Sequence, residues 1–182
     1  METRVAEVAD GVHEFTTHIT EIDFGFNQYL IGGAEPMLFH TGMRGLFPLV
    51  SDAVSRVVPL TSLRWLSFGH IEADECGAMN EFLAAAPEAT VAQGMTGCMV
   101  SINDLADRPP RPLANGETLD IGGHRLRWID TPHVPHAWEA GVLFDGDHQH
   151  PLLRRPLREM GCVRGHDQRR HCGPGPRGRR HG

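Results

Sequence analysis

Apolar and polar residues alternate with a period of two along the N-terminal part of the chain, the pattern of strands with one buried face. Residues 5–9 and 12–16 predict two strands joined at Asp10-Gly11, because Asp-Gly supplies the positive φ angles of a tight hairpin turn. Residues 26–31 and 35–39 repeat the pattern around Gly32-Gly33, with Thr41-Gly42 ending the second strand. The period then changes. Leu46, Leu49, Val50, Val54 and Val57 fall at helical spacing after Gly45, and Pro48 suits a helix start. Residues 62–68 predict a strand broken at Gly69, 77–86 a helix stopped by Pro87, and 89–92 a short strand. Strand, loop, helix, strand is the order of a βαβ unit and sets the class as α/β. Residues 108–112, Arg-Pro-Pro-Arg-Pro, read as a surface connector. Beyond them, 118–121 and 124–130 form a hairpin around Gly122-Gly123, and 141–144 form a strand entered from the loop 131–136.

At 182 residues the chain is long enough for one domain with a real core. No apolar run approaches the roughly 20 residues of a membrane helix, and the N-terminus lacks the basic-then-apolar layout of a signal peptide. A cytoplasmic location without membrane association is therefore expected. Cys76, Cys98, Cys162 and Cys172 form no Cys-x-x-Cys pair, so free thiols are expected rather than a zinc ribbon or redox dithiol. Charge divides the chain. Residues 1–146 carry 8 Arg and 20 acids, whereas residues 147–182 carry 9 Arg and 3 acids, so the net charge of −6 conceals an acidic body and a basic tail.

The chemistry concentrates in two loops at strand ends. In an extended His70-Ile71-Glu72-Ala73-Asp74 segment, alternate residues project to one side, which brings an imidazole and two carboxylates towards one point. That is a metal-ligand set, and Glu75 adds a further oxygen donor facing a neighbouring metal position. The competing reading is a solvated acidic turn in which Asp74 or Glu75 caps the following helix. The second loop, Thr131-Pro-His-Val-Pro-His136, is stiffened by two prolines and carries His133 and His136. Two such loops across one sheet favour metal over capping. His13, His18, His40 and His124 lie in strands or turns without carboxylate company and read as structural or exposed. No Gly-x-Gly-x-x-Gly or Walker pattern occurs, so nucleotide binding is unsupported. Cys76, at a helix start, reads as an inward-packed thiol.

Gly69-His70-Ile71-Glu72-Ala73-Asp74 resembles the His-x-Glu-x-Asp-His signature of the flavodiiron and oxygen-binding di-iron branch of the metallo-β-lactamase superfamily. Glu72, where most hydrolases of that fold carry histidine, is the branch marker, and a harder oxygen ligand suits iron. The resemblance covers roughly residues 5–146 and implies the front half of a metallo-β-lactamase-like αββα sandwich. It implies His70, Glu72 and His136 on one iron, with His133 as the alternative histidine, and Asp74 with Glu75 facing the other. His136-Ala-Trp-Glu139 resembles the branch's His-Trp-Pro-Asp segment, which favours His136 over His133. Two departures stand out. Glu75 occupies a position where the family has histidine, and the family's bridging Asp, in a Gly-Asp pair after the next strand, has no counterpart.

The implied function is an oxygen-binding di-iron protein, sensing or reducing O2. These residues hold no flavodoxin-like segment, so an external electron donor is expected. The alternative is a zinc hydrolase of the same fold acting on an ester, thioester or lactam, since bound zinc brings the pKa of water near neutrality. After Phe144 apolar periodicity vanishes, and residues 147–182 read as a disordered basic tail. Re-reading the codons of residues 146–161 one base later permits a strand followed by Gly-Asp. A frameshift near residue 146 is therefore expected, which makes the tail's charge an accident and argues against nucleic-acid binding. The coding DNA tests this. Without the bridging carboxylate, impaired, mononuclear metal binding is expected of this chain.

Overall fold

The computed structural model describes residues 2–134 and 136–146. Ten strands and three principal short helices alternate along them: β1 Thr3–Ala9, β2 Val12–Ile19, β3 Phe24–Ile31, β4 Met37–Phe39, α1 Phe47–Ser55, β5 Trp65–Ser67, α2 Ala73–Cys76, α3 Met79–Ala85, β6 Thr90–Gly94, β7 Arg111–Leu113, β8 Thr118–Asp120, β9 Arg125–Asp130 and β10 Gly141–Asp145. Strands β1 to β7 form one sheet in sequence order. Its first four strands pair antiparallel, as tight turns at Gly11 and Gly33 allow, and β4 to β7 run parallel because helical crossovers separate them. Strands β8, β9 and β10 make a second, antiparallel sheet in the order β10-β9-β8.

Alternation along each strand of the larger sheet sends residues into two separate cores. Phe15, Leu30, Leu38, Leu66 and Val91 pack with Val50 and Val54 of α1 and Phe82 and Leu83 of α3. Val12, Ile31, Met37, Phe39 and Trp65 face the other way, onto Leu119, Leu126, Trp128 and Leu143 of the second sheet. The described layers are thus helices, sheet and sheet, as the αββα expectation requires of its front half. The basic tail, with its expected disorder and frameshift, lies outside the described residues. No helix among those described is long and apolar enough to cross a membrane.

Several local expectations need correcting. Residues 111–113 are a strand rather than a surface connector, and Pro112 is tolerated because β7 lies at the sheet edge, where a missing N–H leaves no ladder bond unmade. The helix expected over 77–86 is α3, Met79–Ala85, and a separate helical turn, α2, precedes it over Ala73–Cys76, where an extended loop was expected. Residues 95–105 form successive short helical turns that the sequence pattern did not signal.

Trp128 joins the two sheets. Its indole is fully buried, its Nε1 donates to Asp130 Oδ1 at 2.7 Å, and it lies against Gly94 of the larger sheet and Gly141 of β10. A Cβ at Gly141 would stand 2.1 Å from indole Cζ2. Gly141→Ala is expected to lower stability by about 1–3 kcal/mol through overpacking, read as a lower urea midpoint. An unchanged midpoint would mean that the indole shifts freely.

Candidate metal centre

The centre forms where β5 ends and β10 begins. Gly141 N–H donates to Gly69 O at 2.8 Å, so the loop between β9 and β10 is pinned beside the residue preceding His70. Glu139, buried, reinforces the junction by accepting from Ile71 N–H at 3.2 Å. Within the 131–140 loop, His133 N–H donates to Ala137 O at 2.7 Å, and both residues adopt left-handed φ angles of 63° and 67°. Such backbone costs about 1 kcal/mol per residue or more and persists where surrounding contacts over-determine it.

The expected extended geometry runs only as far as Glu72, which has φ −135° and ψ 155° and precedes α2. From Ala73 the chain is helical, so Asp74 and Glu75 leave the alternation that would have set them beside Glu72. His70 is buried and Glu72 half exposed. Glu72 Oε2 lies 2.8 Å from His70 Nε2 and 2.9 Å from His136 Nε2, and the two imidazoles meet edge to face at 4.5 Å. One donor atom from each of His70, Glu72 and His136 falls within 4.8 Å of the others. Among the described residues this is the group that could hold a metal ion, and His133, Asp74 and Glu75 are outside it.

Glu75 is directed elsewhere. Its Oε2 accepts the His70 backbone N–H at 2.8 Å and lies 3.4 Å from His40 Nε2, while Oε1 lies 3.1 Å from His70 Nδ1. Burial alone would raise its carboxyl, but the His40 and His70 imidazoles outweigh burial and hold it below the ordinary value. The hydrogen bond to Glu75 raises His70 to about 9 against the opposing effect of burial, with Glu72 helping. His70 and His136 hold Glu72 below its usual value. Asp74 is raised by burial and by the charges of Glu75 and Glu72, and its Oδ1 is buried with no hydrogen-bond partner. Burial, then Glu75, pushes the Cys76 thiol up to about 11, consistent with an inward-packed cysteine.

Three histidines dismissed for want of carboxylates have them. His18 Nε2 lies 3.1 Å from Asp23 Oδ1, His40 pairs with Glu75, and His124 Nδ1 is 2.6 Å from the buried Asp145 Oδ2. Each partner arrives through turns or strand pairing. Proximity in sequence offered a signal only for His18 and Asp23.

Two imidazoles and one carboxylate are a donor set associated with non-haem Fe(II), and their spacing fits one ion. A second ion finds no comparable group among the described residues, since Glu75 is committed to His70 and His40.

No family model matches the chain. Diflavin flavoprotein A 3 of Nostoc sp. is 29% identical over 145 residues, covering 73% of this chain and 24% of that protein. Diflavin flavoprotein A 2 of Synechocystis sp. is 31% identical over 124 residues, covering 65% of this chain and 20% of that protein. Among solved structures, the rubredoxin oxygen:oxidoreductase of Desulfovibrio gigas superposes with a TM-score of 0.71 at 20% identity, over 79% of this chain and 39% of that one. The chain is a relative of the flavodiiron proteins. Its described residues have the fold of the metallo-β-lactamase-like core of flavodiiron proteins. This flavodiiron relative spans about a quarter of the length of the curated proteins it matches.

Proposed function

We propose that this chain binds iron through His70, Glu72 and His136 and serves dioxygen chemistry of the flavodiiron type, with electrons supplied by a separate donor. The observation that carries the reading is the convergence of the three donor atoms within 4.8 Å. Bound iron would supply a one-electron couple for the reduction of O2. The chain's own residues account for the rest. His70 gives a buried anchor, whereas Glu72 and His136, each about half exposed, leave the centre open to a small substrate on the solvent side. Because Asp74 and Glu75 are outside this group, the proposed stoichiometry is one ion per chain. Iron is preferred to zinc because the chain's relatives are flavodiiron proteins and the donor set includes a carboxylate oxygen.

Anaerobic loading with Fe(II) and Zn(II) in competition, followed by elemental analysis and O2 consumption under a chemical reductant, tests this. The expected result is one iron per chain and O2 uptake that disappears in His136→Ala. Retention of zinc alone, with no O2 uptake, would overturn it.

A further inference from the structure

Glu75 is a buried carboxylate beside the centre whose oxygens are already occupied. Oε2 takes the His70 backbone N–H at 2.8 Å, Oε1 lies 3.1 Å from the same residue's Nδ1, and His40 Nε2 approaches Oε2 to 3.4 Å. The main chain of Glu75 is fixed as well, since its carbonyl accepts from Thr41 N–H at 2.7 Å and from Thr41 Oγ1 at 3.1 Å. Room for the carboxylate comes from Gly69, where a Cβ would stand 3.2 Å from Glu75 Oε2. Turning Glu75 towards a second ion would strip the His70 N–H and Nδ1 of their acceptor in a buried setting, an unfavourable exchange.

We infer that Glu75 is a positioning residue for His70: with His40 behind it, it holds the imidazole with its proton on Nδ1 and presents Nε2 to the centre. A histidine that ligates through one nitrogen is oriented and made more basic when the other donates to a carboxylate. His40 closes the far side of the arrangement, its Nε2 3.4 Å from Glu75 Oε2, and its own left-handed φ of 65° sets the ring against Phe39 at 4.3 Å between centroids. The inference rests on the proposed metal site, but its geometry belongs to this chain's residues alone.

Two measurements on the full chain test it. In ¹⁵N-histidine-labelled protein, the His70 Nδ1 proton is expected as a downfield, slowly exchanging signal coupled to Nδ1, both metal-free and with Zn2+. An unprotonated Nδ1 in the zinc-loaded chain would overturn the inference. In the second, Co2+ titrated into Glu75→Gln and His40→Asn should bind with unchanged stoichiometry but about 10–100-fold more weakly for Glu75→Gln, and by a smaller factor for His40→Asn. Two Co2+ per chain falling to one in Glu75→Gln, with the remaining affinity unaltered, would make Glu75 a ligand and refute the positioning role. A chain that binds neither metal would contradict the proposed function instead, and the metal-free Nδ1 signal then decides the role of Glu75: its presence supports the role and its absence refutes it.

Discussion

Glu72→Ala should reduce Co2+ or Fe(II) affinity by more than about 100-fold, beyond the 10–100-fold typical of groups that only orient a ligand, while leaving the fold intact. Glu72 Oε2 is the atom common to both imidazoles, 2.8 Å from His70 Nε2 and 2.9 Å from His136 Nε2. Its removal leaves two nitrogen donors and no anionic charge among the three, so ion binding loses both a bond and charge compensation. The side chain is about half exposed and makes no capping bond to α2, so its loss should cost only about 0.5–1.5 kcal/mol, the order of the one hydrogen bond it makes to buried His70. Titration beside a thermal melt checks both halves. A lower melting temperature with undiminished affinity would place Glu72 in the structural framework rather than at the centre.

Trp128→Ala is expected to cost about 3–5 kcal/mol, the range for emptying a large buried aromatic site, and to lower the melting temperature by roughly 10 °C in a domain of this size. The indole fills the space between Gly94 of the larger sheet and Gly141 of β10, and its N–H has a partner in Asp130. The effect should extend to the metal. Gly141 begins the strand whose N–H holds Gly69, so loosening β10 loosens the loop that delivers His136. Phe82→Ala, in the core between helices and sheet, supplies the contrast. Both variants should melt lower, but only Trp128→Ala should weaken Co2+ binding. Equal loss of affinity in the two would indicate general destabilisation rather than a path from Trp128 to the centre.

The sheets were legible because their signal is local. Asp10-Gly11 and Gly122-Gly123 specify turns, and alternation such as Leu126, Trp128 against Arg125, Arg127 assigns faces without tertiary information. The 111–113 strand was hidden because three residues with a central proline, following Pro109-Pro110, carry no period, and only the parallel partner β6 makes them a strand. At the centre, the two loops and their histidines could be read from strand ends. The division of labour between Glu72 and Glu75 could not, because it depends on the helix beginning at Ala73 and rotating Glu75 towards His70 and His40. His40 gave no signal at all. Its partner is 35 residues away and reaches it only once β4 and β5 lie side by side. Glu139 was visible as part of a motif, but its bond to the Ile71 amide is a product of loop docking.

Anomalous diffraction at the iron edge, from crystals of the full chain loaded with Fe(II), locates the ion among these side chains. A single peak is expected within coordination distance of His70 Nε2, Glu72 and His136 Nε2, with Glu75 still on His70 Nδ1. A peak held by Glu75 or His133, or two peaks of comparable height in one chain, would contradict that placement.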